Sequence, residues 1–396
     1  MSEWKKCTIG ELGKIITGKT PRTTITENYD GNIPFLTPSN NMDVKYVGIT
    51  NKTLSEQGVR EVKNCLLPEG AVCVSCIGSD LGKVLITTQP TVTNQQINSI
   101  IVNDENDIDF VYYLMTIVGK RLNIISKTST AVPIINKSSF SNYKVTLPNI
   151  ETQKKIAKIL SSLDDKIETN RKINARLEEL AQAIFKSWFI DFEPFGGKMP
   201  EDWNEGTAED FFRIDIGKTP PRKENQWFSN NNKNITWISI SDMGKSGMFI
   251  STSSEMLTKE AINKFKIAIV PQNTILLSFK LTVGRVSIAN SELTTNEAIA
   301  RFQLNNSFER EYLYFFLKEY DYNSLGSTSS IATAVNSKII KRMSVIMPKE
   351  QVLKQFSALV SPLFNRIESL TKESTLLAKL RDTLLPRLMS GEIKVE

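Results

Sequence analysis

The chain has 396 residues, 40% of them hydrophobic and 23% charged, with 49 Lys and Arg against 43 Asp and Glu. At roughly 100–200 residues per domain, this predicts two or three ordinary globular domains, and a net charge of +6 permits a nucleic-acid partner without demanding one. There is no histidine, which removes Ser-His-Asp and Cys-His catalysis, His-ligated zinc and every HExxH site.

Four cysteines remain: Cys7, Cys65, Cys73 and Cys76. Cys73 and Cys76 form one CxxC with no second pair to complete a zinc site, and residues 71–77 read as a buried strand, so these are expected to be core thiols. Free cysteines fit a reducing compartment. The N-terminal Met-Ser-Glu-Trp-Lys-Lys is no signal peptide, and no apolar run approaches the roughly 18 residues of a membrane span. The expectation is a soluble, cytoplasmic protein that meets no membrane.

In chain order the elements form two matched series. Trp4 opens a stretch that ends Gly18-Lys-Thr-Pro21, then Arg22; Trp203 opens one that ends Gly217-Lys-Thr-Pro220, then Pro221-Arg222. Residues 33–40 face 235–242, and Leu67-Pro68 faces Val270-Pro271. Leu81-Gly-Lys-Val84 faces Val283-Gly-Arg-Val286, Thr93-Asn-Gln-Gln-Ile97 faces Thr295-Asn-Glu-Ala-Ile299, and Leu147-Pro148 faces Met347-Pro348. The order is kept while the offset drifts, which is the mark of duplication. Strands are expected over 72–77, 84–87 and 99–102, answered by 275–279, 286–289 and 300–304. Aromatic helices follow at 109–115 and 311–317, then polar stretches at 126–131 and 327–332, then a Pro-marked turn into a long helix.

The long helices carry the clearest periodicity. One seam runs Ile156, Leu160, Leu163, Ile167, Asn170, Asn174, Leu177, Ala181, Ile184, Trp188. The other runs Phe356, Val360, Leu363, Ile367, Leu370, Ser374, Leu377, Arg381, Leu384, Leu388. Spacings of four and three make a heptad, and some 40 helical residues give a rod of roughly 60 Å. Two matched rods in one chain can cover each other's seams, with Asn170 and Asn174 fixing register; an intermolecular coiled-coil dimer is the alternative. Pro362 should kink the second rod or mark its true start. The fold class expected is α/β (α+β): two tandem globular domains, residues 1–148 and 199–348, each followed by a long α-helical spacer, residues 149–198 and 349–396, the two helices packed as an antiparallel coiled coil.

No residue set carries chemistry. A DNA amino-methyltransferase needs an Asn/Asp-Pro-Pro-aromatic loop, and the chain has none. The segment 78–83 is one residue short of a P-loop, with Val84 where Ser or Thr should stand, so 78–83 and 280–285 read as strand-connecting loops with a basic tip. The Glu61-Val-Lys63 and Glu392-Ile-Lys394 triplets lack a suitably placed Pro-Asp pair, and Asp164-Asp165 reads as a solvated helix face.

Binding is left. The candidate DNA contacts are the recurring polar and basic turns: Lys19, Thr20, Arg22, Ser39, Asn40, Lys83, Asn94 and Gln95 in the first half, and Lys218, Thr219, Arg222, Lys223, Ser241, Lys280, Arg285 and Asn296 in the second. Lys and Arg neutralise phosphates, while Arg, Asn and Gln read base edges in two-point fashion. Gly and Pro in these turns are structural. For Asn94 and Asn296 a buried turn-capping role stands beside the base contact.

The whole chain resembles the specificity subunits of type I restriction–modification systems. Three motifs carry the resemblance: the Trp…Gly-Lys-Thr-Pro opening of each half, the central run from Leu180 to Pro194 with Phe195 after it, and the terminal run from Leu384 to Ile393. The resemblance implies that each globular domain is a target-recognition domain reading one half of a bipartite DNA site. The helices would set the gap and dock two methyltransferase subunits, with restriction and translocation subunits added to that core. It also implies N6-adenine methylation with S-adenosylmethionine held by the partner, and no cofactor or metal in this chain. Phe185, Trp188, Phe189, Phe192, Leu385, Leu388 and Met389, near the rod ends, are the candidate partner-docking residues, unless they close the coiled coil. The rival classes are a self-sufficient modification enzyme, against which the missing motifs stand, and a coiled-coil adaptor for protein or RNA.

Overall fold

The computed structural model describes residues 4–42, 44–78, 81–126, 134–231, 233–325 and 335–395. The polar stretches at 127–131 and 327–332, and residues 79–80 of the P-loop-like turn, lie outside them. The chain divides into two compact units, Met1–Glu168 with Thr375–Glu396, and Thr169–Ser374.

In the first unit, strands Gly13–Thr17, Ile97–Val102, Val72–Ser75 and Val84–Ile86 form an antiparallel sheet in that spatial order. A second sheet orders Lys52–Leu54, Tyr29–Leu36, Thr91–Thr93 and Leu66–Leu67. In the second unit, the first sheet orders Arg213–Ile216, Ile299–Gln303, Ile275–Ser278, Val286–Ala289 and Phe249–Ile250. Its companion orders Phe228–Ser229, Glu255–Leu257, Ile235–Ile238 and Thr294–Thr295. The expected strands are present within a residue or two at each end.

The strand after each opening tryptophan pairs with the last strand of the same domain, Lys5 opposite Leu147 and Asn204 opposite Met347. This closes each domain just before its long helix begins. The aromatic helices α1 (Ile108–Ser126) and α3 (Arg310–Glu319) pack on the sheets, and the long helices are α2 (Ile150–Phe189) and α4 (Glu350–Met389). Every seam residue expected from the heptads is buried or half-buried.

Within each unit the two long helices pair antiparallel. In the first, Arg381 Nη1 of α4 meets Asp164 Oδ1 of α2 at 2.6 Å. In the second, Asn170 Nδ2 donates to Glu373 Oε2 at 2.8 Å and to Ser374 Oγ at 3.3 Å, and Asn174 Nδ2 donates to Thr371 Oγ1 at 3.2 Å. The pairing lies within one chain, and both seam asparagines hydrogen-bond across it. Two expectations are corrected. Pro362 does not mark the start of α4, which runs unbroken from Glu350 to Met389; the ring lies on the exposed side, where a carbonyl freed by the missing N–H can meet water. Asp164 is no solvated residue: its side chain is 10% exposed, and it accepts from the Tyr113 hydroxyl at 2.5 Å as well as from Arg381. Burial, and then the Asp164 charge, hold the Tyr113 phenol protonated.

Cys73 and Cys76 sit in the first unit's core, and burial pushes their thiols up to about 12 and about 11. At neutral pH both should resist alkylation in the folded chain and react only after denaturation, as read by mass spectrometry; rapid labelling of the native chain would contradict the core assignment. The end of α4 is part of the same core, with Leu388 only 1% exposed. Leu388→Ala should therefore lower the unfolding free energy by about 2–5 kcal/mol in denaturant titration. Leu376→Ala, at a position 65% exposed, should leave it nearly unchanged.

Candidate nucleic-acid interface

The main sheet of each unit sends its loops out of one edge. In the first unit Thr17 lies opposite Asn98, Ser75 opposite Ile97, and Val74 opposite Val84. In the second, Ile216 lies opposite Ala300, Ser278 opposite Ile299, and Leu277 opposite Val286. The turns after Thr17 and Ile216, the hairpin turns, and the turns before Ile97 and Ile299 thus emerge together. The second sheet delivers its own loop there. Asn94 N donates to Leu36 O at 3.0 Å, and Asn296 N donates to Ile238 O at 2.9 Å.

The Gly-Lys-Thr-Pro turns are pinned identically. Lys19 N donates to Thr93 O at 2.9 Å, and Lys218 N to Thr295 O at 2.9 Å. Glycine is required here by close approach. A Cβ at Gly18 would stand 2.2 Å from Asn94 O and 2.3 Å from Thr93 Oγ1; at Gly217 it would stand 2.1 Å from Asn296 O and 2.3 Å from Thr295 Oγ1. Those threonine hydroxyls are buried without a hydrogen-bond partner in both units. At the tips the copies diverge. Thr20 Oγ1 donates to Gln95 Oε1 at 2.8 Å, whereas Thr219 Oγ1 donates to the carboxylate of Glu297.

The structure brings Lys19, Thr20, Arg22, Ser39, Asn40, Asn94 and Gln95 into one loop cluster, and Lys218, Thr219, Arg222, Lys223, Ser241, Lys280, Arg285 and Asn296 into another. Not all keep a free polar group. Asn94 is buried, its Oδ1 accepting from Gln96 N at 3.1 Å and its Nδ2 donating to Gln96 Oε1 at 2.9 Å, and Asn296 Oδ1 accepts from Ala298 N at 3.1 Å. Both asparagines cap their turns. Asn40 is also buried, with Oδ1 accepting from Thr37 N at 2.9 Å, though its Nδ2 has no hydrogen-bond partner.

Arg285 is half-buried and donates to Ile240 O at 2.7 Å, so it ties its hairpin to the neighbouring loop. Lys83, its counterpart, lines a hollow of about 510 Å³ with Tyr112, Tyr113, Lys120, Asp164 and Arg381. The paired basic tips therefore do different work, because the flanking loops diverged. Arg22 is paired with Glu61 at 3.0 Å, and Arg222 with Glu255 at 2.7 Å. The Arg222 guanidinium also stacks 4.4 Å from the Phe228 ring and 4.5 Å from that of Trp237.

The sequence pattern of the type I restriction modification DNA specificity domain matches the chain twice, over residues 1–179 and 200–378. The chain belongs to the type I restriction–modification DNA specificity family. Relatives in that family match it end to end. It is 30% identical to the MjaIX specificity subunit of Methanocaldococcus jannaschii, covering 100% of this chain and 94% of the relative. It is 25% identical to the HindI specificity subunit of Haemophilus influenzae, covering 99% and 100%. The S subunit structure from M. genitalium superposes with a TM-score of 0.54 at 16% identity, over 98% of this chain and 96% of that one, and so shares the fold.

Three of the seven residues expected to dock partners on this specificity chain are buried at the end of α4: Leu385, Leu388 and Met389, 5%, 1% and 8% exposed, in the first unit's core. Phe185, 3% exposed, lies in the second unit's core against Phe315 and Phe356. These four are spent mainly on closing the junction of helix end and domain, with Phe185 and Met389 also reaching the walls of hollows beside it. Trp188, Phe189 and Phe192 are half-buried, and Phe189 and Phe192 pack on Trp203 with centroids at 5.7 and 5.9 Å.

Sequence reading missed Arg301. It is 2% exposed and donates to Ile216 O at 3.1 Å and Ala268 O at 2.8 Å, fixing where the Gly217 turn leaves the sheet. The first half has Ser99 at that position, so the duplication carried no signal. Gly217→Ala should push the turn off Thr295 and Asn296 and destabilise the chain by about 1–3 kcal/mol in denaturant titration, an unchanged midpoint showing that the contact relaxes freely.

Proposed function

We propose that this chain is the non-catalytic DNA-specificity subunit of a type I restriction–modification complex. In this reading each duplicated domain reads one half of a bipartite site on double-stranded DNA. The observation that carries it is the loop cluster built twice on one framework, with identical pinning beneath and different side chains at the tip, Gln95 against Glu297. A shared framework sets the same approach to the duplex twice, and diverged tips give each copy a different base preference. Among the described residues no cluster of His, Cys, Asp and Glu could hold a metal, and no helix is long and apolar enough to cross a membrane.

The paired helices act as the spacer that sets the gap between half-sites. Two methyltransferase subunits dock on the chain, restriction and translocation subunits join them, and S-adenosylmethionine is held by the methyltransferase, which methylates adenine N6. Modest net charge fits this division, since partner subunits share the phosphate contacts. The docking surface is read from the duplicated junctions. Beside Trp4 is a hollow of about 370 Å³ lined by Leu114, Ile117, Tyr143, Pro386 and Met389. Beside Trp203 is one of about 180 Å³ lined by Phe189, Phe192, Tyr312, Phe316 and Tyr320. Two hollows at corresponding junctions suit two copies of one partner, the first lined also by Arg121 and Lys144 and the second mostly aromatic.

The test is base-resolution methylation mapping in a host without adenine methylation, with the methyltransferase subunit expressed alone or with this chain. The expected result is a split motif of two short blocks around a fixed gap, seen only with this chain. Replacing residues 1–148 by those of a relative should change one block alone. Absence of any chain-dependent motif despite a stable complex would refute the assignment, and absence of a complex would favour an adaptor of another kind.

A further inference from the structure

Between strands Ile275–Ser278 and Val286–Ala289 the second unit carries a hairpin turn, residues 279–285. At its tip Leu281 is 100% exposed and its φ is +62°, a left-handed conformation that leucine adopts only under constraint. Thr282 N donates to Lys280 O at 2.7 Å across it, a three-residue turn of the rare positive-φ kind. Nothing about this tip is slack. Ser278 Oγ donates to Thr282 O at 2.6 Å and accepts from Arg285 N at 3.0 Å, and Gly284 N donates to Ser278 O at 3.0 Å. Arg285 ties the turn to Ile240, and buried Phe279 anchors its base, with Phe279 N donating to Ala298 O at 3.0 Å.

A strained backbone, held by this many bonds, presents a large apolar side chain wholly to water. Folding gains nothing from that arrangement, since a hydrophobic contribution needs burial. The tip lies on the edge that also carries the Gly217 turn and the 295–297 turn. Exposed Lys280 stands beside it, and the neighbouring turn carries exposed Lys218, Arg222 and Lys223, of which Arg222 is paired with Glu255 while Glu297 holds the tip of the 295–297 turn. A partner matching both features carries regularly spaced negative charge with apolar surface between, which is duplex DNA with its phosphates and base edges. Bases accept such residues either at the thymine methyl or between unstacked steps.

Resting on the specificity-subunit reading, we propose that Leu281 is a specificity-determining residue of the second domain, burying its isobutyl group against a base of that domain's half-site while Lys280 meets a flanking phosphate. The first half has Ser79 at the corresponding position, so this contact belongs to one half-site only.

The test uses the full chain assembled with its methyltransferase subunit, on cognate and scrambled duplexes across a salt series. Leu281→Ala should weaken cognate binding by roughly tenfold to a hundredfold, leave scrambled-DNA binding unchanged, and keep the salt slope. Leu281→Gly relieves the backbone yet removes the side chain. It should raise or hold the melting temperature and lose binding as much as alanine does, whereas Leu281→Met should keep most of it. Lys280→Ala should instead flatten the salt slope by about 0.9. Uracil in place of thymine in the second half-site separates the two modes, a loss marking the methyl contact and no loss marking a wedge. If the wild-type complex shows a split motif but Leu281→Ala and Leu281→Gly bind it as tightly as wild type, the Leu281 assignment alone is overturned. If wild type shows no sequence preference, the specificity reading falls and takes this one with it.

Discussion

Each globular unit completes its core with the end of a long helix. The first unit takes Leu385, Leu388 and Met389 from α4, and the second takes Ala181 and Phe185 from α2. Without those side chains each domain would leave an apolar face uncovered, so folding of the domain and pairing of the helices are one cooperative event. The opening tryptophans belong to this junction. Trp4 packs where the helix end turns at Gly391, its indole nitrogen 2.8 Å from where a Cβ on that glycine would stand, at a φ of +76°. Trp203 packs against Phe189, Phe192 and Phe195. These are the residues that carried the resemblance in sequence, and their work is mechanical closure.

The two junctions keep position while exchanging chemistry. In the first unit the aromatic helix meets the long helices through Tyr113, Asp164 and Arg381, with buried Lys45 paired to Asp109 at 2.8 Å and donating to Ser161 at 2.8 Å. In the second, Phe315 and Phe364 meet with centroids 5.7 Å apart, and Ala181 stands in the same core. The loop edge follows the same rule: glycine and threonine are held constant where backbones touch, and the exposed tips drift. The shared geometry thus carries divergent surfaces on one scaffold.

Much of this was legible because it is periodic or repeated. The heptads marked both long helices and their buried stripes, since a seam of fours and threes has one geometric meaning. The duplication marked the turns that matter, since drift spares only what the fold needs. What stayed hidden depends on contacts far apart in sequence. Asp164 looked solvated because Tyr113 and Arg381 are 51 and 217 residues away. Phe185, Leu388 and their neighbours looked like a docking surface because nothing local says that residues 100 or more positions away, such as Phe315 and Phe356 for Phe185, will cover them. Asn94 and Asn296 were open to two readings, and only the backbone path shows the Oδ1 of each accepting from an N–H of its own turn.

The polar seam explains how two rods of mostly leucine and isoleucine hold one alignment. A heptad slip of an apolar seam costs little, because one leucine replaces another in the contact. In the second unit a slip in one direction would move Asn170 from Glu373 and Ser374 onto Ile367, and Asn174 from Thr371 onto Phe364. Their Oδ1 atoms already lack partners, and the slipped register would take from each Nδ2 the acceptors it now has, at about 1–3 kcal/mol for each donor lost. The native register thus tolerates two imperfect asparagines because a slip in that direction is worse. That gap adds to the apolar burial in holding the helix pair in one alignment.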